Sequence, residues 1–164
     1  MCGDEVVATR DNTKSPQQAL AALQRLAARS EKSSGDAMRL MQRWGVQESE
    51  RRGVLERLIK ERYIDDSRYA EAYVREKSNL SGWGARKIAM QLRSKGIDSR
   101  IINDALQQLD DEEQRQRLEC KLQRKLKSIK AVNDYELRGK LLRYALSLGY
   151  EYEVAHDVVQ GVTR

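Results

Sequence analysis

The chain has 164 residues, 34% of them charged and 40% hydrophobic, with no Phe, one Pro and a formal net charge of +6. That length holds one ordinary domain or a few very small units sharing a core, and the positive balance favours polyanionic or acidic partners. Cys2 and Cys120 lack metal-ligand or disulfide spacing, no run approaches the ~20 apolar residues of a membrane span, and MCGDEVVATRDN is acidic where a secretory signal is basic and then apolar. The expectation is a cytoplasmic, soluble protein without metal or cofactor.

No segment alternates apolar and polar residues as a half-buried strand does; the apolar residues follow a helical period. Residues 1–14 read as a disordered tail. Ser15-Pro16-Gln17-Gln18 then has a capping Ser, Pro at the first helical position and Gln where a capping box needs it. The helix it opens runs to about Arg29 with Leu20, Leu23 and Leu26 inward. A second, roughly 35–44, places Ala37, Leu40, Met41 and Trp44 on one face and stops at Gly45. A third, roughly 48–62, carries Val54, Leu55, Leu58 and Ile59 despite Gly53.

From Tyr63 the pattern restarts. Asp65 suits a cap with Ile64 and Tyr69 as its staple, and Tyr69, Ala70, Tyr73 and Val74 make the apolar stripe. Ser81-Gly82-Trp83-Gly84 breaks the helix, and the next turns Ile88, Ala89 and Leu92 inward, with Arg86, Lys87, Arg93 and Lys95 outward, before Gly96. Asp98 begins another helix, with Ile97 and Ile102 as staple and Ile101, Ala105, Leu106 and Leu109 apolar. Asp110–Glu113 is an acidic opening turn, and the long helix behind it carries Leu118, Leu122, Leu126 and Ile129. Asn133 and Glu136 form a capping box with Val132 and Leu137 as staple; a leucine-rich helix runs to Gly149, and the last helix spans about 152–162.

Gly45, Gly96 and Gly149 are 51 and 53 residues apart. The same offsets beyond each reach Val54, Leu55 and Leu58, then Ala105, Leu106 and Leu109, then Val158, Val159 and Val162. This is an internal repeat of three-helix units, 15–62, 63–109 and 110–164, each too thin to bury a core alone. The fold expected is all-α: three tandem three-helix repeats forming an elongated, curved array.

No catalytic constellation is visible. His156 has no Ser, Cys or second His at useful spacing, and Asp65-Asp66 reads as capping. Gly82-Trp83-Gly84 before a helix bearing Arg86 and Lys87 suits a phosphate cradle in principle, but a plain turn plugged by Trp83 fits better because no strand precedes it. Between Arg115 and Lys130 stand seven basic residues and one acid. Arg117, Lys121, Arg124, Lys125 and Lys127 are expected outside the leucine stripe as a positive ridge. The third helices are poor in groups that read base edges: Arg100, Asn103, Gln107 and Gln108 stand beside Asp98 and Asp104. Backbone or protein contact is therefore the better reading than sequence-specific recognition.

The run Tyr-Ile-Asp-Asp-Ser-Arg-Tyr-Ala from Tyr63, with Ala-Arg-Lys-Ile-Ala-Met-Gln-Leu-Arg-Ser-Lys-Gly-Ile ending at Ile97, resembles the most characteristic segment of the RecX family, bacterial regulators of the recombinase RecA. The likeness extends from about Ser15 to the end, departing at Glu50 and Arg51, where the other repeats have Ile101-Ile102 and Val154-Ala155. The resemblance implies a non-enzymatic modulator that lies in the groove of the RecA filament on single-stranded DNA. It is expected to limit filament extension, ATP hydrolysis, strand exchange and co-protease activity. Groove and phosphate contact is assigned to Arg86, Lys87, Arg93, Lys95, Lys121, Arg124, Lys125, Lys127 and Lys130, and packing to Trp44, Tyr69, Tyr73, Leu92 and Leu142. A monomer is expected. The alternatives are a non-specific DNA-binding protein acting without a recombinase and a helical adaptor.

Overall fold

Most of the helices end where the backbone can turn left-handed cheaply or where a polar side chain takes over the free groups of the next. A computed structural model describes residues 12–164. Among them are nine α-helices and no strand: α1 Pro16–Arg29, α2 Ser34–Arg43, α3 Glu48–Lys60, α4 Asp66–Asn79, α5 Ala85–Ser94, α6 Ser99–Leu106, α7 Asp111–Leu126, α8 Asp134–Ser147 and α9 Tyr152–Val162. In each successive group of three, the last helix packs on both of the others. The all-α three-helix repeat is thereby realised, with one compact unit ending at Asp65 and a second running Asp66–Arg164.

The three repeat glycines do one job. At Gly45, Gly96 and Gly149 φ is 70°, 78° and 92°, the left-handed region where a Cβ is penalised. The following N–H reaches back to the same helical position each time: Val46 to Met41 O at 3.0 Å, Ile97 to Leu92 O at 3.2 Å and Tyr150 to Ala145 O at 3.4 Å. With the glycine N–H bonds to Gln42, Arg93 and Leu146, these are three Schellman closures. A fourth closes α3 through Arg62, φ 61°, with Tyr63 N bonded to Leu58 O at 2.9 Å. Arginine gives no such signal in sequence, and the helix expected to reach residue 62 stops at Lys60.

Five N-termini are closed by side chains, whereas Gln47, Gly84 and Glu151 before α3, α5 and α9 make no side-chain capping bond. Ser15 and Gln18 exchange both capping-box bonds, at 2.9 and 3.1 Å. The fully buried Ser33 does the same with Asp36. Asp98 accepts from Arg100 N at 2.8 Å and Asp110 from Glu113 N at 2.9 Å. Asn133 accepts from Glu136 N at 2.8 Å, but the Glu136 carboxylate accepts from Val132 N at 2.9 Å instead of Asn133. The expected Val132–Leu137 staple is absent, since Val132 is 90% exposed. Of the tail expected over 1–14, residues 1–11 lie outside the described residues, and Lys14 donates its N–H to Trp44 O at 2.9 Å.

The first core holds Leu23, Met41, Leu58 and Ile64, with Trp44 against them. Arg51 occupies a position that is apolar in the other repeats, and its Nε donates to Val46 O at 2.7 Å. The second core gathers Tyr69, Val74, Ile88, Leu92 and Ile102, and the third Leu118, Leu122, Leu141, Tyr150 and Val159. Trp83 packs against both, making Asp66–Arg164 one body. Each such fully buried Leu or Ile contributes roughly 1.5–3 kcal/mol.

Candidate functional site

The Gly82–Gly84 turn is where the last two repeats meet. Gly84 N donates to Leu148 O at 2.7 Å and Arg86 N to Gly149 O at 3.0 Å, so free amides at the start of α5 satisfy carbonyls at the end of α8. The backbones touch: a Cβ at Gly84 would stand 2.5 Å from the carbonyl carbon of Gly149, and one at Gly149 would run into the backbone of Lys87. Tyr150 Oη donates to Gly82 O at 3.0 Å, and burial pushes its pKa up to about 12. The turn is an inter-repeat clasp. The amides of Trp83, Gly84 and Arg86 are taken by protein carbonyls, which fits an interhelical turn better than a phosphate cradle.

Cations surround this clasp. Lys87 Nζ lies 4.3 Å and Lys77 Nζ 5.1 Å from the Trp83 ring centroid, and the Lys121 stem lies across Gly82. Arg86, Lys87 and Arg93 line one groove with Met90 and Leu146. Lys121 and Arg124 line another with Leu80, which is 81% exposed. Lys125 Nζ sits 5.1 Å from the Tyr144 ring, and Lys95 Nζ 5.9 Å from the Tyr69 ring at the C-cap of α5. Lys127 and Lys130 are exposed at and beyond the C-terminus of α7. The nine residues therefore form two groups joined through the clasp by Lys87 and Lys121, with Lys95, Lys125, Lys127 and Lys130 farther along their elements.

Arg117, expected on the outer ridge, is turned inward. It donates to Ser78 Oγ at 2.7 Å and pairs with Glu113 at 3.1 Å, while buried Gln114 donates to the same hydroxyl at 2.6 Å. The acidic first turn of α7 thus draws in the first basic residue of the ridge and pins α7 to α4. Gln114 Oε1 has no hydrogen-bond partner. Sequence reasoning missed Lys77, Met90, Leu146 and Leu80. A single lysine in a helix of mixed charge gives no signal, and apolar residues on a helical period are read as core.

Trp44, Tyr69 and Leu92 are buried, and Tyr73 and Leu142 half-buried, as their packing assignment requires. Gln108, in the turn that follows α6, donates to Glu71 O at 3.1 Å and so serves packing. His156 is exposed and stacked on Tyr152 at 5.9 Å. Among the described residues no cluster of His, Cys, Asp and Glu has the makings of a metal site, and no helix is long and apolar enough to cross a membrane.

Fold and site together define an all-α array of three-helix repeats with a basic, partly apolar face on its last two repeats. Residues 65–106 match the RecX second three-helix domain, and the chain is 30% identical over 155 residues to the regulatory protein RecX of Mycolicibacterium vanbaalenii, covering 91% of this chain and 84% of that protein. The chain belongs to the RecX family of regulatory proteins. It is also 36% identical over 110 residues to the regulatory protein RecX of Mycolicibacterium smegmatis and 33% identical over 133 residues to that of Oceanobacillus iheyensis. These matches take 65% and 80% of this chain and span 58% and 47% of those relatives, about half their length. The crystal structure of RecX from Lactobacillus salivarius shares the fold, with TM-score 0.78 at 22% identity over 90% of this chain and 96% of that one.

Proposed function

We propose that this chain binds the filament that RecA forms on single-stranded DNA and restrains its extension, ATP hydrolysis, strand exchange and co-protease activity. It acts in the bacterial cytoplasm as a monomer, without catalysis or a cofactor of its own. The observation that carries this reading is family membership over 84% of a regulatory RecX protein's length. The exposed cations of α5 and α7 support it: they suit DNA phosphates and acidic protein surface, and the last helices of the same two repeats, α6 and α9, are poor in base-reading side chains. Arg86, Lys87, Arg93, Lys95, Lys121, Arg124, Lys125, Lys127 and Lys130 are assigned to that contact, and the chain is divided into three-helix repeats 15–62, 63–109 and 110–164.

The test is RecA's ATP hydrolysis on single-stranded DNA with this protein titrated from far below equal stoichiometry, at low and moderate salt. Inhibition is expected well below one molecule per RecA, because a few molecules blocking extension control many subunits. No inhibition at any ratio, alongside measurable binding to bare oligonucleotide, assigns the chain instead to non-specific DNA binding.

A further inference from the structure

We infer that the groove between α5 and the α8–α9 corner is a docking site for an acidic protein segment bearing an aliphatic side chain. It rests on the reading of the basic face as the partner-binding face, and it names the chemistry of the protein partner there. Seven large apolar side chains are exposed among the described residues, and two of them, Met90 at 57% and Leu146 at 38%, line this one groove. On α5, Met90 stands one turn from each of two exposed arginines, Arg86 and Arg93, at i−4 and i+3. The rim thus offers cations around an unbranched, adaptable thioether, the kind of floor that accepts an apolar side chain of variable shape.

Charge selects the occupant's sign. The groove is lined by Arg86, Lys87 and Arg93 against a single acid, Glu151, and that acid lies 3.5 Å from Arg86 in an ion pair exposed on both sides. Such an exposed pair costs little to exchange. An incoming carboxylate displaces Glu151 from Arg86 and finds Arg93 unopposed by any acid in the groove.

The apolar chemistry argues for protein over nucleic acid. Bases bind unpaired by stacking on aromatic faces. The groove's one aromatic, Tyr150, is buried at 4% exposure with its hydroxyl committed to Gly82 O. Its exposed apolar side chains are aliphatic. Two of the amides at the start of α5, those of Gly84 and Arg86, are also already committed to Leu148 O and Gly149 O.

The experiment is fluorescence anisotropy with the full chain and three probes. They are a labelled peptide of glutamates carrying two leucines one helical turn apart, the same peptide with leucine replaced by serine, and an oligothymidylate. The leucine peptide is expected to bind more tightly than the serine one. Met90→Gln with Leu146→Gln is expected to remove that preference, weakening the leucine peptide about tenfold while leaving the serine peptide and oligothymidylate unchanged. Arg93→Gln is expected to weaken both peptides. Equal binding of the two peptides, or an unaltered leucine preference in the double variant, overturns the proposal. So does loss of oligothymidylate binding alone in the double variant, which makes the groove a nucleic-acid site. All the exchanged side chains are exposed, and far-UV circular dichroism is expected to be unchanged. RecA inhibition measured in parallel separates the two readings: intact inhibition without peptide preference sinks the groove alone, and peptide preference without inhibition by the wild-type chain sinks the RecA reading alone.

Discussion

At Gly53, in the interior of α3, a Cβ would meet nothing within 4 Å, whereas at Gly149 it would run into the backbone nitrogen of Lys87. The first glycine carries only the entropic cost of its backbone freedom, the second a left-handed turn and a backbone contact that no other residue permits. Gly53→Ala is therefore expected to stabilise the first unit by about 0.5–1 kcal/mol. Gly149→Ala is expected to destabilise the second by roughly 2 kcal/mol or more, because both strain and collision act. Urea unfolding followed by circular dichroism reads both; a Gly149→Ala chain as stable as the wild type would show that the clasp yields at little cost. Gly149 was legible as a helix stop because only glycine makes that turn cheaply. Its contact with Lys87 was not, because the two residues come from different repeats.

Between elements, the clasp of α5 on α8 holds a group that makes stability depend on alkaline pH. Tyr150 is held neutral, its pKa raised to about 12 from 10.0 by burial while its hydroxyl donates to Gly82 O. An acid whose folded pKa is raised contributes its full stability below pH 10 and loses it as pH climbs toward 12, since only the unfolded chain ionises freely in that window. A shift of that size corresponds to about 2–3 kcal/mol. Tyr150→Phe is expected to cost about 1 kcal/mol at neutral pH and to flatten the decline above pH 10 relative to wild type. Thermal unfolding of both chains across that range isolates the contribution of Tyr150; parallel curves would place the alkaline sensitivity elsewhere. The helices and most caps that build this clasp were legible, because periodicity and capping chemistry are local. The clasp was not, because its hydrogen bonds join residues more than sixty positions apart. The basic site was legible in part: Arg86 and Arg93 project as their helical positions require, whereas the stem of Lys121 covers Gly82 and Lys125 lies over Tyr144.

Over the whole molecule, the net charge of +6 is a small surplus of 31 basic over 25 acidic side chains, so its placement decides what it does. The opening turn of α7 holds Asp111, Glu112 and Glu113, and its last turn Arg124 and Lys125, which suits the helix dipole and concentrates cations at one end. Reversing Lys121, Arg124 and Lys125 to Glu changes each charge by two and cancels the surplus. If α7 meets DNA phosphates and acidic RecA surface, inhibition of RecA's ATP hydrolysis is expected to be lost at moderate salt. The fall of log affinity with log salt is expected to become shallower by about 2, from roughly 0.7 per lost single-strand phosphate contact. Because the stems of Lys121 and Lys125 also cover Gly82 and Tyr144, a triple Gln variant keeps most of that packing while removing the charge. It is expected to fall between wild type and the Glu variant in affinity, with helix content unchanged in all three. Equal inhibition by the three chains would take α7 out of the mechanism and leave the cations of α5 to carry the contact.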